Sequence, residues 1–172
     1  MKKKRLYIGK LLLAAGTVLL LAAGAVVWHF LQEIREEARA WKTVTTLAED
    51  VSKSASENPA TTLLKLKSSA DAFDYPVQIS AGSRFSVGYD RETLRSSLAR
   101  YRALFKLLTV SLSDQTVKIS GDRAQIEFAV QYTFEDKISA QKRSDVCDVT
   151  AEMIKRNNEW KIKSLQFSKV LQ

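Results

Sequence analysis

From Ala124 to Glu135 the chain alternates without a break. Ala124, Ile126, Phe128, Val130, Tyr132 and Phe134 fall on one parity, and Gln125, Glu127, Ala129, Gln131, Thr133 and Glu135 on the other. A period of two over that length specifies a long antiparallel strand with one apolar and one wet face. Its neighbours follow the same rule. Leu108, Val110 and Leu112 alternate, then Val117 and Ile119, with Gly121-Asp122 as a turn; Cys147, Val149, Ala151 and Met153 form another run; Asn157-Asn158 turns into a last strand from Trp160 to about Phe167.

Upstream of Phe105 the period is that of helices. Asp90 is an N-cap for a helix over DRETLRSSLARYRALF, with Leu94, Leu98, Tyr101, Leu104 and Phe105 on one face and Arg95, Arg100 and Arg102 expected in solvent. A second helix is expected from Pro59 to Phe73, with Leu63, Leu64, Leu66, Ala70 and Phe73 as its apolar set, ended by Tyr75-Pro76. Val77–Ser80 and Phe85–Tyr89 are short extended pieces around a Gly82 turn. Before Asn58-Pro59, the stripe Ile34, Ala38, Trp41, Val44, Leu47 and Val51 predicts a membrane-proximal helix over 32–58. Helices followed by antiparallel strands give an α+β domain over 59–172, helices packed on one face of a curved antiparallel sheet, with the preceding helix joining it from about residue 42.

Leu11–Leu31 is a different kind of segment: 21 residues without a formal charge. As a helix it is about 31 Å long, the thickness of the hydrocarbon core, so it is read as a transmembrane helix. The tail 1–10 carries Lys2, Lys3, Lys4, Arg5 and Lys10, which are five of the net +8 charges. The flank beyond the span mixes both signs, so the N-terminus is expected in the cytoplasm and the domain exported from a bacterial inner membrane to the periplasm or cell exterior. The alternative is a signal peptide cleaved after Ala25, against which stands the apolar run continuing through Val26, Val27, Trp28, Phe30 and Leu31. His29 is expected at headgroup depth, and Gly9, Gly16 and Ala23 recur every seven residues as a close-packing seam. The domain alone is nearly balanced in charge, which excludes a nucleic-acid partner; the lipid bilayer is the first partner expected.

The stretch GYDRETLRSSLARYRALFKLLTVSLSDQTVKISGDRAQIEFAVQYTF, followed by TAEMIKRNNEWKIKSLQF, resembles the nuclear transport factor two-like, or SnoaL-like, superfamily over residues 42–170. The resemblance implies a cystatin-like cone whose helices and sheet enclose a pocket, used in different relatives for isomerase or cyclase chemistry, ligand binding or assembly. Its enzymes place an Asp with His, Tyr or a second acid in the pocket. This domain has no histidine, and Asp148 and Glu152 alternate away from Cys147–Met153. A single cysteine and no domain histidine leave no zinc site and no activated nucleophile, and no phosphate-cradling glycine loop occurs, so no metal, cofactor or catalytic residue is assigned. Cys147 has no partner for an internal disulfide and is read as buried, with pairing between chains as the alternative.

Tyr101, Phe128, Tyr132 and Met153 are the candidates to line a pocket, with core packing as the alternative for each. The expected function is a single-pass, membrane-anchored binding or assembly module, non-catalytic, with a second copy or a membrane protein as partner. Short tail, single span and domain class together resemble the inner-membrane scaffold component of type IV secretion systems. The alternative is a SnoaL-like pocket enzyme or binder for a small hydrophobic ligand; an acid buried beside Tyr132 or Tyr101 would favour the enzyme.

Overall fold

A computed structural model describes residue 28 and residues 30–82, 85–139 and 141–169. The tail 1–10, nearly all of the expected span, His29 and the small-residue seam lie outside them. Among the described residues no helix is long and apolar enough to cross a membrane. The chain divides into two compact units at Glu36/Glu37, and the second of them holds the sheet and the helices that cover it.

Helix α1 occupies residues 37–51 of this unit. Ala40, Val44 and Ala48, four residues apart, are its buried row, and Trp41 meets Phe128 edge-on with centroids 5.7 Å apart. The helix stops at residue 51 instead of continuing to 58. Lys53 there exchanges two backbone hydrogen bonds with Leu108, at 2.7 and 3.0 Å, and the Ser52 hydroxyl accepts from the Val110 N–H at 3.0 Å, so a sheet edge replaces the partners of another helical turn.

Helix α2 (Pro59–Asp71) is capped by Asn58, whose side-chain oxygen accepts from the Thr61 N–H at 2.8 Å. It buries Leu66, Ser69 and Ala70 and leaves Leu63 and Leu64 exposed. It ends at Asp71 because Phe73 already belongs to strand β1 (Phe73–Ala81). Pro76, expected to punctuate, lies inside β1 where pairing with the last strand loses register between Phe73 and Gln78, so its missing N–H breaks no ladder bond. Strand β2 (Phe85–Tyr89) returns antiparallel to β1, and Asp90 caps α3 (Arg91–Leu104) by accepting from the Thr93 N–H at 2.8 Å.

Strands β3 (Phe105–Ser120), β4 (Arg123–Asp136), β5 (Lys142–Arg156) and β6 (Glu159–Lys169) complete one sheet in the order β2-β1-β6-β5-β4-β3. It is mixed, not antiparallel: β1 and β6 run parallel. Strand β3 is continuous, and its change of parity from Leu112 to Val117 is a bulge between Ser113 and Thr116 with Asp114 at φ 55°.

Ala124, Ile126 and Phe128 are buried with Val149, Ala151, Met153, Trp160 and Ile162 under α1 and α3, while Gln125, Glu127 and Gln131 are exposed. Each such side chain removed from water contributes about 2 kcal/mol, against about 1 for a helix cap, so the sheet's register follows from its apolar parity.

Candidate functional site

The helices and the concave sheet face close imperfectly around a cavity of about 570 Å³. Val44, Leu47 and Ala48 line it from α1, and Leu94, Leu98 and Tyr101 from α3. The sheet supplies apolar side chains from all six strands, among them Phe128, Val130, Val149 and Ile162, with Phe85 at the β2 edge. Among the described lining side chains the polar atoms are two phenol hydroxyls, those of Tyr101 and Tyr132, and none of them is a carboxylate, imidazole, ammonium or guanidinium.

Tyr132 sits opposite Asp145 in the β4–β5 register and donates to Asp145 Oδ2 at 3.0 Å, while Asp145 Oδ1 accepts from the Val146 N–H at 2.9 Å. Burial, then the hydrogen bond and charge of Asp145, push the Tyr132 phenol up to about 12. Burial also raises Tyr101, with Cys147 adding to it. Tyr101 is steadied by Phe105, edge-on at 5.0 Å, which in turn contacts Phe134 at 4.8 Å. Cys147 is half-buried and free, its thiol pushed up by burial and by Asp145 and Asp148.

Of the four residues expected at a pocket, the structure brings Tyr101, Phe128 and Tyr132 to this cavity and leaves Met153 out. Met153, four residues further along β5 than Val149, is sealed in the core and borders a separate pocket of about 360 Å³ beside Arg123 and Lys163. Asp148 and Glu152 lie on the exposed parity. Asp145, on the inward parity, is the carboxylate that reasoning from Cys147 onward did not reach; it is exposed at the rim, not buried.

A second departure concerns Arg102. Expected in solvent beside Arg95 and Arg100, it is 2% exposed. Its Nε donates to Val51 O at 3.1 Å, and its Nη2 to Ser52 O at 2.8 Å and to both Glu57 oxygens at 2.7 and 3.0 Å. Glu57 also receives Thr62 at 2.8 Å and pairs with Lys65 at 3.1 Å. Burial raises the Glu57 carboxyl, but the hydrogen bonds from Thr62, Arg102 and Lys65 outweigh it and hold the group below its ordinary value. This cluster straps the segment after α1 to α3, and so fixes the wall carrying Ala48 and Val51. Leu94, Leu98 and Arg102 are four apart, so the helical period itself put this arginine on the inward row.

Among the described residues no group of three His, Cys, Asp or Glu side chains is placed to hold a metal ion. No family model matches the chain, and no curated protein matches it in sequence. Solved structures do match in shape. A scytalone dehydratase-like protein from Novosphingobium aromaticivorans superposes with a TM-score of 0.68 at 11% identity, over 81% of this chain and 87% of that one. A dehydratase-like protein of the nuclear transport factor two-like family from Streptomyces avermitilis gives 0.66 at 14% identity, over 81% and 99%. The fold is the nuclear transport factor two-like cone. A type 2 hexachlorocyclohexane dehydrochlorinase shares it with a TM-score of 0.65 at 11% identity, over 80% and 86%. At these identities the cone is shared as a scaffold, and its chemistry is decided by the side chains inside it.

Proposed function

We propose that the protein is a membrane-anchored binding module whose exported nuclear transport factor two-like domain holds a small hydrophobic ligand in its cavity without transforming it. The observation that carries this reading is the lining: apolar throughout, with two phenols as its polar side chains. Pockets of several hundred Å³ with few polar groups are the usual form of small-molecule sites. Proton-transfer catalysis needs a group tuned near the working pH, and Tyr132 at about 12 keeps its proton. The anchor is supported by the uncharged stretch 11–31 behind five cations. Assembly with a second copy or a membrane protein rests on the anchor and the sparse chemical inventory, and is the less specific half of the reading.

One observation favours the enzymatic alternative, the Tyr132–Asp145 hydrogen bond at 3.0 Å. The carboxylate is exposed and already accepts two hydrogen bonds, which suits it to orient the phenol better than to abstract a proton. The test is displacement of a fluorescent apolar dye from the full-length chain. Binding should be saturable and should vanish in Ala48→Phe, which fills the cavity from α1, with circular dichroism unchanged. Turnover of a small hydrophobic carbonyl compound that Tyr132→Phe abolishes would overturn the non-catalytic reading.

A further inference from the structure

The polar end of the cavity carries information about its occupant, and this step rests on the proposed ligand binding. We infer that the cavity selects an uncharged ligand with an apolar body and a hydroxyl-type head, and rejects carboxylates of the same length.

Inside, no lining side chain among the described residues bears a charge, so an ionised head drawn inward finds no counter-ion among them. At the rim beside Tyr132 the described charge is the carboxylate of Asp145. Asp145 is held beside Tyr132 by two donors, the phenol hydroxyl at 3.0 Å and the Val146 N–H at 2.9 Å. A carboxylate head placed against Tyr132 therefore meets a second carboxylate. Arg143 shares that face of β5 but stands two register pairs farther out, opposite Phe134, and its guanidinium donates to Gln141 at 3.0 Å.

The hydrogen-bonding capacity agrees. Tyr132 spends its proton on Asp145, so its oxygen remains as an acceptor; Tyr101 makes no hydrogen bond among the described residues and offers both donor and acceptor. One donor and two acceptors match a hydroxyl. A carboxylate needs more donors than the single one present. An ammonium brings three donors to two phenol oxygens, and Asp145, which keeps a free lone pair on each oxygen, attracts it to the exposed rim and not into the uncharged lining.

The experiment displaces a bound apolar dye from the full-length chain, held in a polymer belt, with decanol, decanoate or decylammonium; the empty belt is the blank. Decanol should displace the dye at a concentration at least about tenfold lower than decanoate. Asp145→Asn, which keeps a hydrogen-bond acceptor for Tyr132, should narrow that ratio by about threefold. Decanoate or decylammonium binding as tightly as decanol would overturn the inference, and an unchanged ratio in Asp145→Asn would overturn the role given to the rim. If the dye itself never binds, the cavity reading fails and this one falls with it, an outcome distinct from dye binding without head-group selection.

Discussion

Replacing Arg102 by methionine keeps the apolar stem and removes the charge. The side chains of Arg102 and Glu57 are each 3% exposed, and the arginine serves three acceptor groups, two carbonyls and the carboxylate. Breaking a buried pair by removing one partner costs about 3–5 kcal/mol, because the survivor is left uncompensated. Glu57 retains Lys65 at 3.1 Å and Thr62 at 2.8 Å, which places the loss at the lower end, about 3 kcal/mol. With a urea slope of about 1–3 kcal/mol/M, the midpoint of the compact unit Glu37–Gln172 should fall by about 1–3 M. Arg102→Met with Glu57→Gln should be less destabilised than the two single losses added, since the double variant leaves neither Arg102 nor Glu57 as an unpaired buried charge and deprives only the part-exposed Lys65 of its carboxylate. A loss under about 1 kcal/mol for Arg102→Met, or strict additivity, would refute the reasoning that the strap is a desolvated, mutually dependent unit.

Glu57 also sets an acid limit. Its folded value lies below its unfolded one, so its stabilisation is present above the ordinary carboxylate range and is lost as pH falls through the folded value; acid titration of stability should flatten in Glu57→Gln. Phe128→Ala should cost about 3 kcal/mol in urea unfolding. Glu127→Ala, on the exposed parity with a 3.8 Å contact to Lys118 and a solvent-exposed hydrogen bond from Gln125 at 2.9 Å, should stay within about 0.5 kcal/mol; equal effects at the two would refute the register. A reporter fused after Gln172 should be active only in the exported compartment, and the intact chain should need detergent for extraction; activity in the cytoplasm would overturn the proposed topology.

What could be read beforehand depended on how local the determinant was. The β4 alternation and the Asp90 cap act over a few residues, and both appear in the structure as the sequence implied. The parallel pairing of β1 with β6 joins Phe73 to Ile162 and depends on the whole path between them, so alternation within either strand carried no trace of it. The β3 bulge was legible as a parity change from Leu112 to Val117, although two separate runs fit the same pattern. Arg102 was legible too, in its four-residue spacing from Leu98, but its charge argued for solvent, and only the fold brings Glu57 to meet it. For the site, patterning marks which side chains turn inward, and a cavity wall and a filled core are both inward; that is why Phe128 and Met153 looked alike and came apart.

The position of β6 bears on how the domain comes into being. The last strand made is an inner strand, flanked by β1 and β5. Until it has been made and paired, β2-β1 and β5-β4-β3 are two separate ribbons, each with an unpaired edge. Synthesis that stalls short of residue 159 therefore leaves sticky halves in place of a smaller stable domain. Those edges need shielding until the eleven-residue strand β6 slots between them.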